Sequence, residues 1–185
     1  MRITGGSLCG RQIRAPKGSE TRPTQDRVRV SLFGILGLRL QGETVIDLFA
    51  GSGSLGFESI SRGASRCVFV EKSRPAAKLL EENARELGLE GVCEVLCADS
   101  LEESRRWMGF GPFGAAFVDP PYMAGAYEKA LTLLSTDGLL KPLSVVVVER
   151  ERHVSLQSSY GCLKLKRSER YGATMVDFYQ FDSEV

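Results

Sequence analysis

The chain has 185 residues, enough for one domain with a substantial core, and its 43% hydrophobic and 25% charged residues are ordinary for a globular protein. No apolar run is long enough to span a membrane and residues 1–4 do not begin a signal peptide, so we expect a cytoplasmic protein. The net charge of +1 hides an asymmetry, because residues 1–40 hold eight basic and two acidic side chains, net +6, and the remainder nets −5. A basic segment on a mildly acidic body suits a phosphate backbone, although it could also serve solubility alone.

The cysteines indicate neither disulfides nor a metal site. There are five, an odd number without a CxxC pair, and His153 is the only histidine. Cys93 and Cys97 share one face of a predicted strand, which favours thiols in the core. We therefore expect a reducing compartment and no bound metal.

Residues 1–24 predict a small basic β-hairpin arm. Residues 2–4 and 11–14 would pair across the glycines between them, with arginine at most of the polar positions. An apolar stripe then predicts a helix over about 26–38, which opens a second unit at 25–185. The arm's candidate contacts to a nucleic-acid substrate are Arg2, Arg11, Arg14, Arg22 and Thr24.

From residue 44 onward, predicted strands and helices alternate. The strands fall near 44–49, 67–71, 92–97, 114–119 and 144–149, and the helices near 53–62, 74–87, 100–108 and 124–134. This alternation predicts an α/β fold with a parallel, doubly wound sheet. Strands near 160–168 and 173–181 add an antiparallel hairpin, which makes seven strands. Ligands of such sheets bind beyond the carboxyl ends of the strands, where the strand order reverses.

The first strand leads into a glycine-rich turn and then a helix, the most informative stretch of the chain. Gly51-x-Gly53-x-x-Gly56 matches the dinucleotide fingerprint, and Glu71 lies where that fingerprint expects an acid. Asp47 argues against a dinucleotide, because a pyrophosphate on this loop would face its carboxylate at short range. S-adenosylmethionine has no phosphate and carries a sulfonium and an ammonium, which suit a carboxylate. A turn that binds nothing is the remaining alternative.

The ends of the next strands supply further candidates for the cofactor site. Glu71 could accept both hydroxyls of a ribose. Asp99 could accept from an adenine amino group or cap the following helix, and the two roles are compatible. The predicted cofactor-binding residues are Asp47, Phe49, Gly51, Ser52, Gly53, Glu71 and Asp99.

The fourth strand ends in Asp119-Pro120-Pro121-Tyr122, which we predict to be the catalytic segment. The two prolines remove two N–H donors, so the strand tip presents acceptors only. An Asp carboxylate, bare carbonyls and an aromatic ring suit a planar base that carries an exocyclic amino group. Acceptance of its hydrogens by Asp119 and the Pro120 carbonyl would localise the nitrogen lone pair for attack on a methyl group. A simple turn with a capping Asp is the structural alternative.

Both segments resemble the signature motifs of amino-directed, S-adenosylmethionine-dependent nucleic-acid methyltransferases. More narrowly, the chain is similar to the bacterial small-subunit (16S) ribosomal RNA guanine-N2 methyltransferase family over nearly its whole length. The stretches that carry the narrower likeness are 3–6, 10–11, 22–24, 55–58, 61–64 and 171–172. The resemblance implies a class I, Rossmann-like methyltransferase fold and methylation of one guanine amino group in assembling ribosomal particles. One departure is Ser59-Ile60, because a small residue such as Ala is expected at position 59.

Two other functions stay open at this stage. A DNA adenine-N6 methyltransferase would use the same acceptor tip, but the gaps between strands leave no room for a target-reading insertion. An NAD-dependent oxidoreductase would use the glycine fingerprint, but His153 lies past the last parallel strand and offers no obvious partner for hydride transfer. We favour a monomer acting on ribosomal RNA or on the small-subunit particle.

Overall fold

The computed structural model describes residues 1–16, 26–121 and 125–182, which form one eight-stranded sheet with helices on both faces. The first half of the fold comprises α1 (Asp26–Leu36), a 3-10 turn (Gly37–Leu40), β1 (Thr44–Asp47), α2 (Ser54–Ser61), β2 (Arg66–Glu71), α3 (Arg74–Leu87) and β3 (Cys93–Cys97). The second half comprises α4 (Arg105–Met108), β4 (Phe113–Val118), α5 (Ala126–Leu134), β5 (Leu140–Glu151), β6 (Ser159–Tyr160), β7 (Leu163–Tyr171) and β8 (Thr174–Phe181).

The strand order is β3-β2-β1-β4-β5-β8-β7-β6. Strands β1 to β5 are parallel, and β8, β7 and β6 are antiparallel to their neighbours. The predicted parallel sheet closed by a C-terminal hairpin is therefore confirmed, and the two-residue edge strand β6 brings the count from seven to eight. Because the chain turns from β1 outward in both directions, the order reverses between β1 and β4, where a ligand crevice is expected.

Two hydrophobic layers hold the sheet. One lies beneath α1, α2, α3 and the N-terminal segment and contains Phe33, Phe57 and Phe117. The other lies beneath α4 and α5 and contains Trp107 and Tyr179. Strand β4 is fully buried, as expected for a parallel strand covered on both faces. None of the helices within the described ranges is long and apolar enough to cross a membrane.

The N-terminal segment packs on the domain through buried contacts. Its predicted hairpin is present as a bridge between Arg2 and Gln12, and Ile3 and Ile13 join the core. Residues 5–6 lie so close to α2 that a Cβ at Gly6 would stand 1.8 Å from the Ser61 carbonyl oxygen. The predicted boundary between a 1–24 arm and a 25–185 domain falls in 17–25, outside the described residues, and stays a prediction.

A buried carboxylate locks the hairpin to α2. Glu58 is fully buried and accepts hydrogen bonds from the Thr4 N–H and hydroxyl, each at 2.7 Å, and from Arg62 Nε at 2.7 Å. Ser59, the departure from the family pattern, is also buried, and its hydroxyl donates to the Leu55 carbonyl at 2.8 Å. A hydroxyl fits there because the preceding turn of the helix accepts its hydrogen bond.

Two local predictions are wrong. The helix predicted over 100–108 is reduced to Arg105–Met108, because the Asp99 carboxylate accepts from the N–H groups of Leu101 and Glu102 and holds the preceding residues in turns. Cys97 is exposed and Cys93 only half-buried, so they are not core thiols. Their strand, β3, lies at the edge of the sheet and has a hydrogen-bonded neighbouring strand on one side only.

Candidate active site

The glycine turn between β1 and α2 has the backbone conformation that its glycines permit. Gly51 and Gly53 have φ values of 52° and 77°, in the left-handed region. A Cβ at Gly53 would stand 2.5 Å from Leu80, and one at Gly56 would stand 2.1 Å from Phe69. Packing therefore requires both glycines: Gly56 lets α2 lie directly on β2, and Gly53 leaves room for Leu80 of α3. Gly53, a predicted cofactor contact, does not line the adjacent cleft.

Asp47 ends β1 beneath this turn and is almost completely buried, with 2% of its surface exposed. One oxygen accepts from the Gly56 N–H at 3.3 Å. Burial raises the pKa of Asp47 from 3.8 to about 7, the Glu71 carboxylate adds to the increase, and the Gly56 N–H partly offsets it. The ionised form is thus poorly compensated by the protein alone, so a cation placed beside Asp47 would stabilise it.

Glu71 ends β2 and holds the glycine turn in place. Its two oxygens accept from the Gly51 N–H at 2.8 Å and the Ser73 N–H at 2.7 Å. Each carboxylate oxygen can accept more than one hydrogen bond, so capacity remains for ligand hydroxyls. Sequence reasoning predicted a ligand contact here but missed the bond to Gly51, which connects two strand ends through the backbone.

Asp99 follows β3 and makes the capping contacts that were one of its two predicted roles. Its Oδ1 accepts from the N–H groups of Leu101 and Glu102 at 3.0 and 3.1 Å, and Lys72 donates to its Oδ2 at 2.9 Å. The Lys72 hydrogen bond holds the pKa of Asp99 below its usual value. The predicted contact to an adenine amino group stays a prediction.

These strand ends enclose a cleft of about 190 Å³. Of the predicted site residues, those that line it are Asp47, Phe49, Gly51, Ser52, Glu71, Asp99, Asp119 and Pro121. Pro120, also predicted as a site residue, is buried and does not line the cleft. Sequence reasoning missed Lys72, Ser100 and Leu101, which also line the cleft. Lys72 directly follows Glu71, and Ser100 and Leu101 directly follow Asp99. The expectation that ligands bind beyond the carboxyl ends of the strands could therefore have included them.

Asp119 enters the same cleft from the end of β4. Burial raises the pKa of its carboxyl well above the usual value, and the negative charges of Glu149 and Asp47 add to the increase. Glu149 belongs to the adjacent strand, where Val118 pairs with Val148 and the next residues are Asp119 and Glu149. The cleft is therefore acidic at both ends, and a ligand with cationic or hydrogen-donating groups would relieve the repulsion.

The predicted substrate contacts are placed unevenly. Arg11 donates to the Glu86 carbonyl at 2.9 Å, and Arg14 contacts the Glu86 and Glu82 carboxylates at 2.6 and 3.4 Å. These contacts lie on the last turns of α3. Because α3 runs back against the parallel strands, its end lies at the edge of the sheet opposite the cleft. Arg2 is exposed on the hairpin.

Three predicted site residues, Tyr122, Arg22 and Thr24, lie outside the described residues, and their roles stay predictions. The N-terminus does reach the glycine turn, where the Ser52 hydroxyl donates to the Met1 sulfur at 3.4 Å. Within the described ranges, no group of three or more His, Cys, Asp or Glu side chains is arranged to hold a metal ion.

The strand order, the acid-flanked glycine turn and the acceptor segment after β4 define a class I, Rossmann-like methyltransferase fold. A solved structure described as a putative methyltransferase from Escherichia coli superposes with a TM-score of 0.87 at 29% identity, covering 100% of this chain and 99% of that one. A Thermus thermophilus 16S rRNA N2 G1207 methyltransferase, solved with its methyl donor and guanosine, shares the fold at 19% identity and a TM-score of 0.70; 97% of this chain matches 49% of that one.

The chain belongs to the family described as conserved hypothetical protein 95, whose model matches residues 1–180. It is 36% identical to a putative rRNA methyltransferase of Bacillus subtilis over 184 residues, covering 97% of this chain and 98% of the relative. It is 32% identical to ribosomal RNA small subunit methyltransferase D of Escherichia coli, covering 100% of this chain and 91% of the relative. The resemblance found in the sequence is therefore confirmed at the level of the family.

Proposed function

We propose that this chain transfers a methyl group from S-adenosylmethionine to the N2 amino group of a guanine in small-subunit ribosomal RNA. The observation that carries the proposal is the position of Asp119, whose carboxylate lines the same cleft as Asp47 and the glycine turn. A methyl donor and an amino acceptor could meet there. The family relatives, which are named as ribosomal RNA methyltransferases, support RNA as the acceptor.

The residues at the β1 and β2 ends fit this methyl donor. Asp47 is a buried carboxylate whose pKa of about 7 shows that its charge is poorly compensated, and a cationic ligand would supply the missing compensation. Glu71 keeps acceptor capacity for ribose hydroxyls while it fixes the loop. S-adenosylmethionine, when bound, supplies an electrophilic methyl group on a sulfonium.

On the acceptor side, Asp119 and the Pro120 carbonyl would each accept one amino hydrogen. An amino nitrogen conjugated to a base is a poor nucleophile, because its lone pair is delocalised into the ring. Two acceptors positioned on one side of it favour tetrahedral geometry and localise that pair. Tyr122 would stack on the base and fix its orientation.

Asp119 also has the properties of a proton acceptor. After the nitrogen gains a methyl group it carries a positive charge and must lose a proton. Because burial and neighbouring carboxylates raise the pKa of Asp119, its carboxylate is a stronger base than an exposed one. We infer that Asp119 first accepts a hydrogen bond from the amino group and then receives its proton.

The decisive experiment supplies the purified protein with labelled methyl donor and one of three acceptors. These are deproteinised small-subunit RNA, assembled small-subunit particles and a mixed-sequence DNA duplex. We expect N2-methylguanine in RNA, with particles preferred because a single small domain offers little surface for reading sequence. Label in DNA as N6-methyladenine would contradict the proposal and support the DNA enzyme. Binding of NAD in place of the methyl donor in a calorimetric titration would support the oxidoreductase.

A further inference from the structure

Two of the hairpin arginines predicted to contact RNA, Arg11 and Arg14, contact the end of α3, whereas a different set of basic side chains lies in the turns after β5 and between β7 and β8. Arg152 and His153 lie in the turn after β5, and Arg170 lies beside the turn between β7 and β8. All three are exposed. None of them is among the residues predicted from the sequence to form the site.

The strand register brings these two turns together at the carboxyl edge of the sheet. Strand β5 continues from Val148, the partner of Val118, through Glu151, which pairs with Thr174 of β8. Three residues of strand raise the turn by roughly 10 Å above the tip of β4. The Arg152 N–H donates to the Ala173 carbonyl at 2.9 Å, so the two turns form one surface. We call this surface, residues 152–153 and 170–173, the turn ledge.

The turn ledge is anchored to the rest of the domain and extended by α1. The Tyr171 and Ser31 hydroxyls are hydrogen-bonded to each other, which fixes the β7–β8 turn against α1. Arg27 is exposed and lies one helical turn before Ser31, on the same side of α1. Among the described residues, Glu151 faces the ledge and contacts His153 Nδ1 at 3.0 Å, and Asp26 lies beside Arg27 but is paired with the buried Arg29 at 2.8 Å. Arginine charge therefore exceeds carboxylate charge there.

We propose that the turn ledge, with Arg27, is the surface that binds the RNA backbone next to the methylated base. This rests on the proposed function and names the face by which the substrate enters. Strands are about 4.8 Å apart, so β7 lies roughly 15 Å from β4 across the sheet. That separation suits phosphates a few nucleotides from a base held at Asp119. Arginine can bind a phosphate with two parallel hydrogen bonds, which favours it over a merely solubilising charge.

The test compares two double variants with the same change in net charge. Arg152→Ala with Arg170→Ala removes two ledge cations but leaves the Arg152 N–H bond intact. Arg39→Ala with Arg85→Ala removes two exposed cations that precede β1 and β3, at the opposite edge of the sheet. Each protein is titrated with deproteinised small-subunit RNA at several salt concentrations, and S-adenosylhomocysteine affinity is measured by calorimetry to check the fold.

We expect the ledge variant to lose about tenfold in RNA affinity and to reduce the slope of log affinity against log salt by about 1.5, because fewer counterions are released. The matched control should change less than about twofold, the scale expected for removing charges that touch no phosphate. Equal losses of RNA affinity and of salt slope in the two variants would contradict the proposal that the turn ledge binds RNA. If both variants retain cofactor binding but the wild-type protein methylates no ribosomal RNA, the proposed function is wrong. The proposal that the turn ledge binds RNA is then wrong as well.

Discussion

The carboxylates in the two halves of the cleft have different surroundings. On the cofactor side, at the ends of β2 and β3, Glu71 and Asp99 each accept two backbone N–H groups, and Lys72 adds a third donor to Asp99. On the acceptor side, the pKa of Asp119 is raised by burial and by the negative charges of Glu149 and Asp47. Hydrogen bonds from the protein hold Glu71 and Asp99 in place, whereas Asp119 would be stabilised by a hydrogen-bond donor on the ligand.

This difference matches the division of labour in the proposed reaction. A cofactor that must be held in one orientation is served by carboxylates fixed to the backbone. A base whose amino group becomes positively charged is served by a carboxylate that gains stabilisation only as that charge develops, which lowers the barrier more than it tightens ground-state binding. Asp47 lies between the two, since it accepts from the backbone N–H groups of Gly56 and Phe49 but remains strongly destabilised as an anion.

The largest effect is expected at Asp119. Asp119→Ala should lower the single-turnover rate of methyl transfer about 100-fold or more, as removal of other preorganised electrostatic contacts does. Affinity for S-adenosylhomocysteine should change less than about twofold, because Asp119 faces the acceptor. Asp137→Ala, a loss of one exposed carboxylate between α5 and β5, is the control. Transfer by Asp119→Ala within a few-fold of the wild-type rate would contradict the proposed mechanism.

Much of the fold could be predicted from sequence because the chain repeats one physical pattern. Five apolar strands separated by helix-length segments leave a parallel sheet as the consistent arrangement, and the acids after the strands then share one edge. The prediction was wrong where a tertiary contact overrides local pattern. The turns after Asp99 depend on where its carboxylate lies, and the exposure of Cys97 depends on β3 being an edge strand.

The site was predictable in its membership but not in its connections. Asp47, Glu71 and Asp119 follow from strand ends, but the Gly51–Glu71 bond and the pairing of Lys72 with Asp99 arise only when distant segments meet. For the basic hairpin, the sequence predicted the charge but not the partners of the charged side chains. Its charge is visible in sequence, but sequence does not show that Arg11 and Arg14 are engaged by α3.

Asp47 should show a conflict between function and stability. Asp47→Asn should weaken S-adenosylmethionine binding by at least ~1.5 kcal/mol, the scale of a charged hydrogen bond. It should also stabilise the unliganded protein at pH 8 by about 4 kcal/mol, because the folded-state pKa of about 7 lies above the ordinary 3.8. The stability that the wild-type protonated carboxyl provides is complete below pH 4 and lost as pH rises through 7. Chemical denaturation at pH 4 and pH 8 measures this directly, and equal differences at both pH values would refute the assignment.

The pH dependence of cofactor binding gives a milder test of the same residue. A cation beside Asp47 favours its ionised form, so affinity for S-adenosylmethionine should rise as pH increases toward 7 and level off above it. Between pH 6 and pH 8 we expect up to a tenfold gain, about 1.4 kcal/mol. Calorimetry of wild type and Asp47→Asn over this range is the measurement. A wild-type profile as flat as that of the variant would show that no cation binds near Asp47.

The smallest effect is expected at the hairpin arginines, and it separates the two candidate RNA surfaces. Arg14 and its partner Glu86 are about half exposed, with side-chain values of 49% and 60%, and such pairs contribute roughly 0–1 kcal/mol to stability. Arg11→Ala with Arg14→Ala should therefore leave the fold and cofactor affinity intact. Its RNA salt slope should fall by less than that of the ledge variant, since RNA phosphates would have to displace the Glu86 carbonyl from Arg11 and the Glu82 and Glu86 carboxylates from Arg14. Glu82→Gln with Glu86→Gln removes both ionic partners of Arg14 and should raise RNA affinity if the hairpin contacts RNA. If the hairpin variant loses more RNA affinity than the ledge variant, the larger contribution to RNA binding comes from residues 1–24 and not from the turn ledge.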